Sequence, residues 1–181
     1  MLEKVIDLAE IEVADQTEYL YSEFFYPDFV GGNTYLNDNI YIDPVSFEQE
    51  DGYEKTFWHL TTRDTEYVRK VGKRHIKVKE RLIDYGRAER LDWVKKIIEN
   101  AHADSIKAFY HIESDGKKDL RLYLWLYEQD FVVILQKLGK SSTFLVTSFY
   151  INVDKKRKIY QRRYDAYVSG SVPELQGCEW F

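Results

Sequence analysis

Four apolar-rich stretches in the second half of the chain, bounded by short turns, read as strands: Lys107 to Glu113, Leu120 to Glu128, Phe131 to Leu138 and Thr143 to Asn152. The connections between them, around Asp115-Gly116, Glu128 to Asp130 and Gly139 to Ser142, are short enough to join only antiparallel neighbours. In the second stretch Leu120, Leu122, Leu124 and Leu126 share one face, and Arg121, Tyr123, Trp125 and Tyr127 share the other. Just upstream, Ala88, Leu91, Val94, Ile97, Ile98 and Ala101 recur every three or four residues, which predicts an amphipathic helix from Arg87 to about Ala101 resting on the leucine face.

The first half is less regular. Leu2, Val5, Leu8 and Ala9, then Leu20, Phe24 and Phe25, have helical spacing over residues 2 to 25, and Pro27 with the Gly31-Gly32 pair ends that pattern. Short strands around an Asn37-Asp38-Asn39 turn are expected over residues 34 to 53. Thr56 to Thr62 alternates and is rich in β-formers, so it reads as a strand with Phe57, His59 and Thr61 on one side. Residues 63 to 86 read as a basic, irregular connector, and Ser169 to Phe181 as a loosely held tail. The expected fold class is α+β: an N-terminal helical segment, then an amphipathic helix packed on a four-stranded antiparallel sheet. An acidic segment, 1–53, would pack on a main domain, 54–168, followed by a flexible tail, 169–181.

Composition narrows the class. With 181 residues, 44% of them hydrophobic, the chain can bury a core, and no apolar run approaches the roughly 20 residues needed to cross a bilayer. Met1 to Glu10 lacks the basic start and apolar stretch of a signal peptide, and Cys178 is the only cysteine, so no internal disulfide is available and a cytoplasmic protein is expected. The net charge of −5 hides a division: residues 1–53 hold one base and 13 acids, whereas residues 54–181 hold 25 bases and 18 acids. Two readings follow. The basic part binds a polyanion, gaining free energy by releasing counterions from phosphates, or the two parts neutralise each other across an internal interface.

The P-loop, dinucleotide-binding, zincin and nucleophile-elbow patterns are all absent from the sequence. Asn37 to Asn39 lacks the glycine and closing glutamate of a calcium loop, so no metal and no cofactor are expected. What remains is a set of imidazole, guanidinium and hydroxyl groups: His59 and Arg63 in FWHLTTR, Arg87 and Arg90 in RAERLDW, Arg121, and Thr147 with Tyr150 in FLVTSFY. These residue types suit metal-free RNA cleavage, in which a 2′-hydroxyl attacks the neighbouring phosphorus. That reaction needs a base titrating near neutrality, cations on the phosphoryl oxygens and a donor for the departing 5′-oxygen. His59 also reads as a hydrogen-bonded core histidine, and Arg87 and Arg90 as surface pairing partners. Lys73 and Arg74 belong to the densest basic run, and Tyr123 and Trp125 form either a platform for stacking bases or the second side of a covered sheet.

On FWHLTTR, RAERLDWVKKIIEN and FLVTSFY, and on the order of the elements that carry them, residues 55 to 165 resemble the Barnase-EndoU-colicin-RelE superfamily of RNases and toxins, in particular its phage-borne branch. The resemblance implies an RNase-like sheet and a metal-independent endoribonuclease that leaves a 2′,3′-cyclic phosphate. By position His59 would be the acid–base residue, Arg63 and Arg121 the phosphate clamps, and Thr147 or Tyr150 the group on the last strand. Lys73, Arg74, Arg87, Arg90, Tyr123 and Trp125 would contact RNA, possible tRNA, and an antitoxin or immunity protein would be a possible further partner. Strict alternation sets Thr147 and Tyr150 on opposite faces, so both reach one site only through a bulge. The alternatives are a non-catalytic RNA- or protein-binding module, and an interaction protein working through its acidic residues 1–53.

Overall fold

The structure is a computed structural model, which describes residues 4–45, 47–113, 119–138 and 142–180. The four expected stretches form strands β7 (Ile106–Glu113), β8 (Asp119–Leu126), β9 (Phe131–Lys137) and β10 (Ser142–Tyr150), each antiparallel to the next. The expected four-stranded antiparallel sheet is nevertheless overturned. Two short strands from the acidic segment, β1 (Tyr35–Leu36) and β2 (Ile40–Asp43), extend it to six in the order β1-β2-β10-β9-β8-β7. β2 pairs parallel to β10, so the sheet is mixed. The reason is local: Leu36, Ile40 and Ile42 are buried, and so short a run hides its backbone and apolar side chains only by joining the edge of a larger sheet.

Helices lie at both ends of the chain. At the start, residues 4 to 15 are not helical, and Leu2 of the expected helix lies outside the described residues. The helix begins at α1 (Gln16–Leu20) and continues as a π-helical stretch, Tyr21–Val30, across Pro27. Its exit is tight. A Cβ on Gly32 would fall 2.1 Å from the Pro27 carbonyl oxygen, so glycine there is a steric requirement. At the other end, α5 (Asp154–Val168) covers the aromatic face of the sheet. Between them, the expected 87–101 helix divides into α3 (Tyr85–Ala88) and α4 (Leu91–Glu99).

Two apolar layers result. On the leucine face, Leu122, Leu124 and Leu126 pack with Val94, Ile97 and Ile98 of α4 and with Leu20, Phe25 and Phe29 of the N-terminal helix. On the other face, Phe109, Tyr123, Trp125, Val132 and Phe149 pack under Tyr160 of α5. The tail beyond Ser169 is fixed at two points: Leu175 is buried, and the Trp180 backbone N–H donates to the Tyr110 hydroxyl at 2.7 Å.

Two further corrections concern the region that bears the candidate site. Thr56 to Thr62 is not a strand, because α2 (Lys55–Thr61) occupies it. The same residues satisfy a helical period, with Phe57, Leu60 and Thr61 buried together while Lys55 and His59 face out. Past a short hairpin of β3 (Gln49–Glu50) with β4 (Tyr53–Glu54), the basic connector is a long hairpin, β5 (Thr62–Val71) and β6 (Arg74–Ile83), turning at Gly72, whose φ of +62 is the left-handed backbone that glycine adopts freely. No helix among the described residues is long and apolar enough to cross a membrane.

Candidate functional site

The site forms where α2 ends. The last carbonyls of a helix have no intrahelical partner and carry a partial negative charge. Here the His59 carbonyl accepts from the Arg87 guanidinium at 2.9 Å and from the Thr147 hydroxyl at 3.0 Å. Three elements, α2, α3 and β10, are thereby tied at one backbone atom, and the His59 side chain is left exposed on the outer face of α2. β10 can reach this far because a bulge displaces its register against β9 between Leu145 and Thr147.

Asp84 precedes α3 and organises the cations. Its carboxylate pairs with Arg63 at 2.7 Å and with Arg87 at 3.5 Å. The Arg63 side chain is 62% exposed, so one side of its guanidinium remains open to solvent. Arg87 is largely buried; burial lowers its pKa, Asp84 opposes the change, and Arg63 adds to it. Arg81 closes the outer wall, paired with Glu50 at 2.9 Å and lying 5.7 Å from the centre of the Trp58 ring. From α5, Lys156 adds a further cation, its pKa lowered by burial and then by Arg87 and Arg63. Trp58, His59, Thr62, Arg63, Asp64, Arg81, Arg87 and Thr147 together line a polar depression of about 330 Å³.

Of the residues expected to act together, His59, Arg63, Arg87 and Thr147 meet at this depression. Arg121 does not. It lies on β8, donates to Gln136 at 3.1 Å, and belongs with Glu113 toward the far edge of the sheet. Tyr150 is also elsewhere, its ring centre 4.8 Å from the Arg90 guanidinium, which also lies 5.3 Å from the Trp93 ring centre. The bulge precedes Thr147 instead of separating it from Tyr150, so the two side chains stay on opposite faces. Tyr123 and Trp125 are buried under α5 and offer no surface to a base. The Tyr123 hydroxyl donates to Glu113, which also pairs with Arg163 at 3.2 Å. Lys73 and Arg74 sit at the tip of the β5–β6 hairpin, roughly 30 Å along the ribbon from its foot.

Asp84, Arg81 and Lys156 were not singled out from the sequence. Asp84 carried a signal, since Asp is favoured immediately ahead of a helix. Among the described residues no three His, Cys, Asp or Glu side chains gather as a metal site would need. No family model, curated protein or solved structure matches the chain.

Proposed function

We propose that the protein is an endoribonuclease that needs no metal and cleaves RNA by attack of a 2′-hydroxyl on the adjacent phosphorus. The observation that carries this reading is the exposed His59 imidazole beside the half-open Arg63, in a depression whose remaining cations, Arg81 and Arg87, are held by ion pairs with Glu50 and Asp84. His59 accepts the proton of the 2′-hydroxyl as the 2′-oxygen bonds to phosphorus. Arg63 neutralises the charge that grows on the phosphoryl oxygens, and the bond from phosphorus to the 5′-oxygen breaks. Solvent at the open side of the depression supplies the proton that the departing 5′-oxygen takes up, and the imidazolium returns its own to water. The products are a 2′,3′-cyclic phosphate and a 5′-hydroxyl. The resemblance to the Barnase-EndoU-colicin-RelE RNases supports this reading through FWHLTTR and FLVTSFY, and not through the sheet.

The basic ribbon supports an RNA partner. Residues 62–83 hold eight Lys and Arg against three Asp and Glu, and all but Thr62 are open or half-open to solvent. A second reading, RNA binding without cleavage, is favoured by the fact that Thr147 and Arg87 already hold the His59 carbonyl. One assay separates the two. Incubated with tRNA in EDTA, the wild type is expected to yield fragments with 2′,3′-cyclic phosphate ends, and His59→Ala to lose at least 100-fold in rate at unchanged melting temperature, within the usual contribution of a general base. Undiminished cleavage by His59→Ala removes the histidine from the reaction, and salt-sensitive retention without fragments leaves only the binding module.

A further inference from the structure

Next to the polar depression lies a second cavity of different chemistry, about 350 Å³ in volume, with His59 on the wall between them. Val45, Phe47, Leu138, Phe144, Leu145 and Val146 line it. Its charged groups, Glu48 and Lys55, are paired with each other at 3.2 Å and present no net charge. Two departures from regular backbone converge on it. Val45 has a φ of +56, a conformation that a β-branched residue adopts only under constraint, and Val146 is the residue the β10 bulge leaves without a partner on β9. Irregularities of this kind cost stability and cluster where a cavity is shaped for a ligand. Phe47 is 82% exposed at the mouth.

We propose that this cavity holds one nucleobase of the RNA strand whose phosphate occupies the neighbouring depression, and therefore that the substrate is RNA unpaired at the site of cleavage. The inference rests on the phosphate reading of the depression. The occupant must be flat and mostly apolar, and it must be joined to an anion at its His59 end, because the cations begin there. A base on its ribose phosphate meets these conditions. A base within a duplex does not, since stacking and pairing hold it out of reach of a pocket in the protein. The lining is apolar apart from Thr56, His59 and the Glu48–Lys55 pair, so the cavity accepts a ring by shape and stacking and is tolerant of sequence.

The test uses the whole protein and 2′-O-methyl oligoribonucleotides, which bind but cannot be cleaved. The wild type is expected to bind a single strand at least about 10-fold more tightly than the duplex of the same sequence, the scale of one stacked base. Leu138→Trp, which fills the cavity from an exposed position, should reduce single-strand affinity to the duplex level and leave duplex affinity unchanged. Phe47→Ala, too exposed to disturb the core, should weaken single-strand binding several-fold and spare the duplex. Equal binding of the two forms by the wild type, or equal weakening of both by either variant, overturns the proposal. Cleavage of the unmodified strand is scored separately. Single-strand preference without cleavage would defeat the nuclease reading and leave the base site standing.

Discussion

At the scale of single residues, the site depends on a backbone atom as much as on side chains. The His59 carbonyl is satisfied twice, and both donors, Arg87 and Thr147, come from elements far away in sequence. Thr147→Val keeps the shape and deletes one donor to an atom that retains another. A loss of about 0.5 to 1.5 kcal/mol in urea unfolding is expected, with a larger proportional fall in RNA turnover. Arg87→Met leaves the carbonyl with one donor and Asp84 with only Arg63, and should cost about 2 to 4 kcal/mol. If Thr147→Val matches wild type in both measurements, the hydroxyl has no part in presenting His59.

At the scale of elements, what the sequence revealed depended on how many positions agreed. β7 to β10 and α4 were legible because apolar runs between short turns, the strict alternation of β8 and the apolar stripe of α4 all span many positions. Thr56 to Thr62 was too short to separate period two from period three and four, and its buried threonines donate back to carbonyls four residues earlier, Thr61 to Phe57 and Thr62 to Trp58. α5 escaped because its inward stripe, buried Tyr160 with half-buried Tyr164 and Tyr167, is made of tyrosines among many charges. That omission hid the cover over Tyr123 and Trp125. The meeting of His59 with Arg63 was readable as residue types, but its partners Asp84, Arg81 and Lys156 come from elements whose placement no local pattern reports. The β5–β6 ribbon is the element most separable from the rest, as only Thr62 in it is buried and cross-strand pairs such as Lys79 with Glu66 at 2.9 Å hold it together. Replacing residues 67 to 78 by Asn-Gly joins Glu66 to Lys79, which are already partners, and removes five cations. Thermal stability should stay within about 0.5 kcal/mol, since no core residue is lost. The slope of log affinity against log salt for single-stranded RNA should flatten by about 0.7 for each cation that had met a phosphate. An unchanged slope would mean that RNA does not touch the ribbon.

At the scale of the whole molecule, the division of charge is built into one packed structure. The acidic residues 1–53 supply Leu8, Leu20, Phe25, Phe29, Leu36 and Ile42 to the core and meet the basic part directly, at Asp28 with Lys95 and Glu50 with Arg81. Global stability should also depend on pH through the group under α5. Burial and then Arg163 lower the His111 pKa, against the opposing pull of Glu113. Burial raises the Glu113 pKa, but the Tyr123 hydroxyl, Arg163, His111 and Arg121 outweigh it, and the net change is downward. Below about pH 6.5 the unfolded chain takes up a proton at His111 that the folded protein resists, so stability falls as pH drops through that window, and it falls again once Glu113 must be protonated. His111→Gln should flatten the dependence of melting temperature on pH as the pH drops below about 6.5. An unaltered profile would show that His111 is free to ionise in the folded state.

The central claim, that a phosphate group sits over His59, is tested most directly by following the imidazole resonances of the four histidines while a nucleoside 3′-monophosphate is titrated into the full-length protein. The His59 signal, identified by its loss in His59→Gln, is expected to shift with a saturable dependence on ligand that Arg63→Ala weakens, while His111 remains still. A His59 resonance that stays fixed throughout the titration would contradict the account.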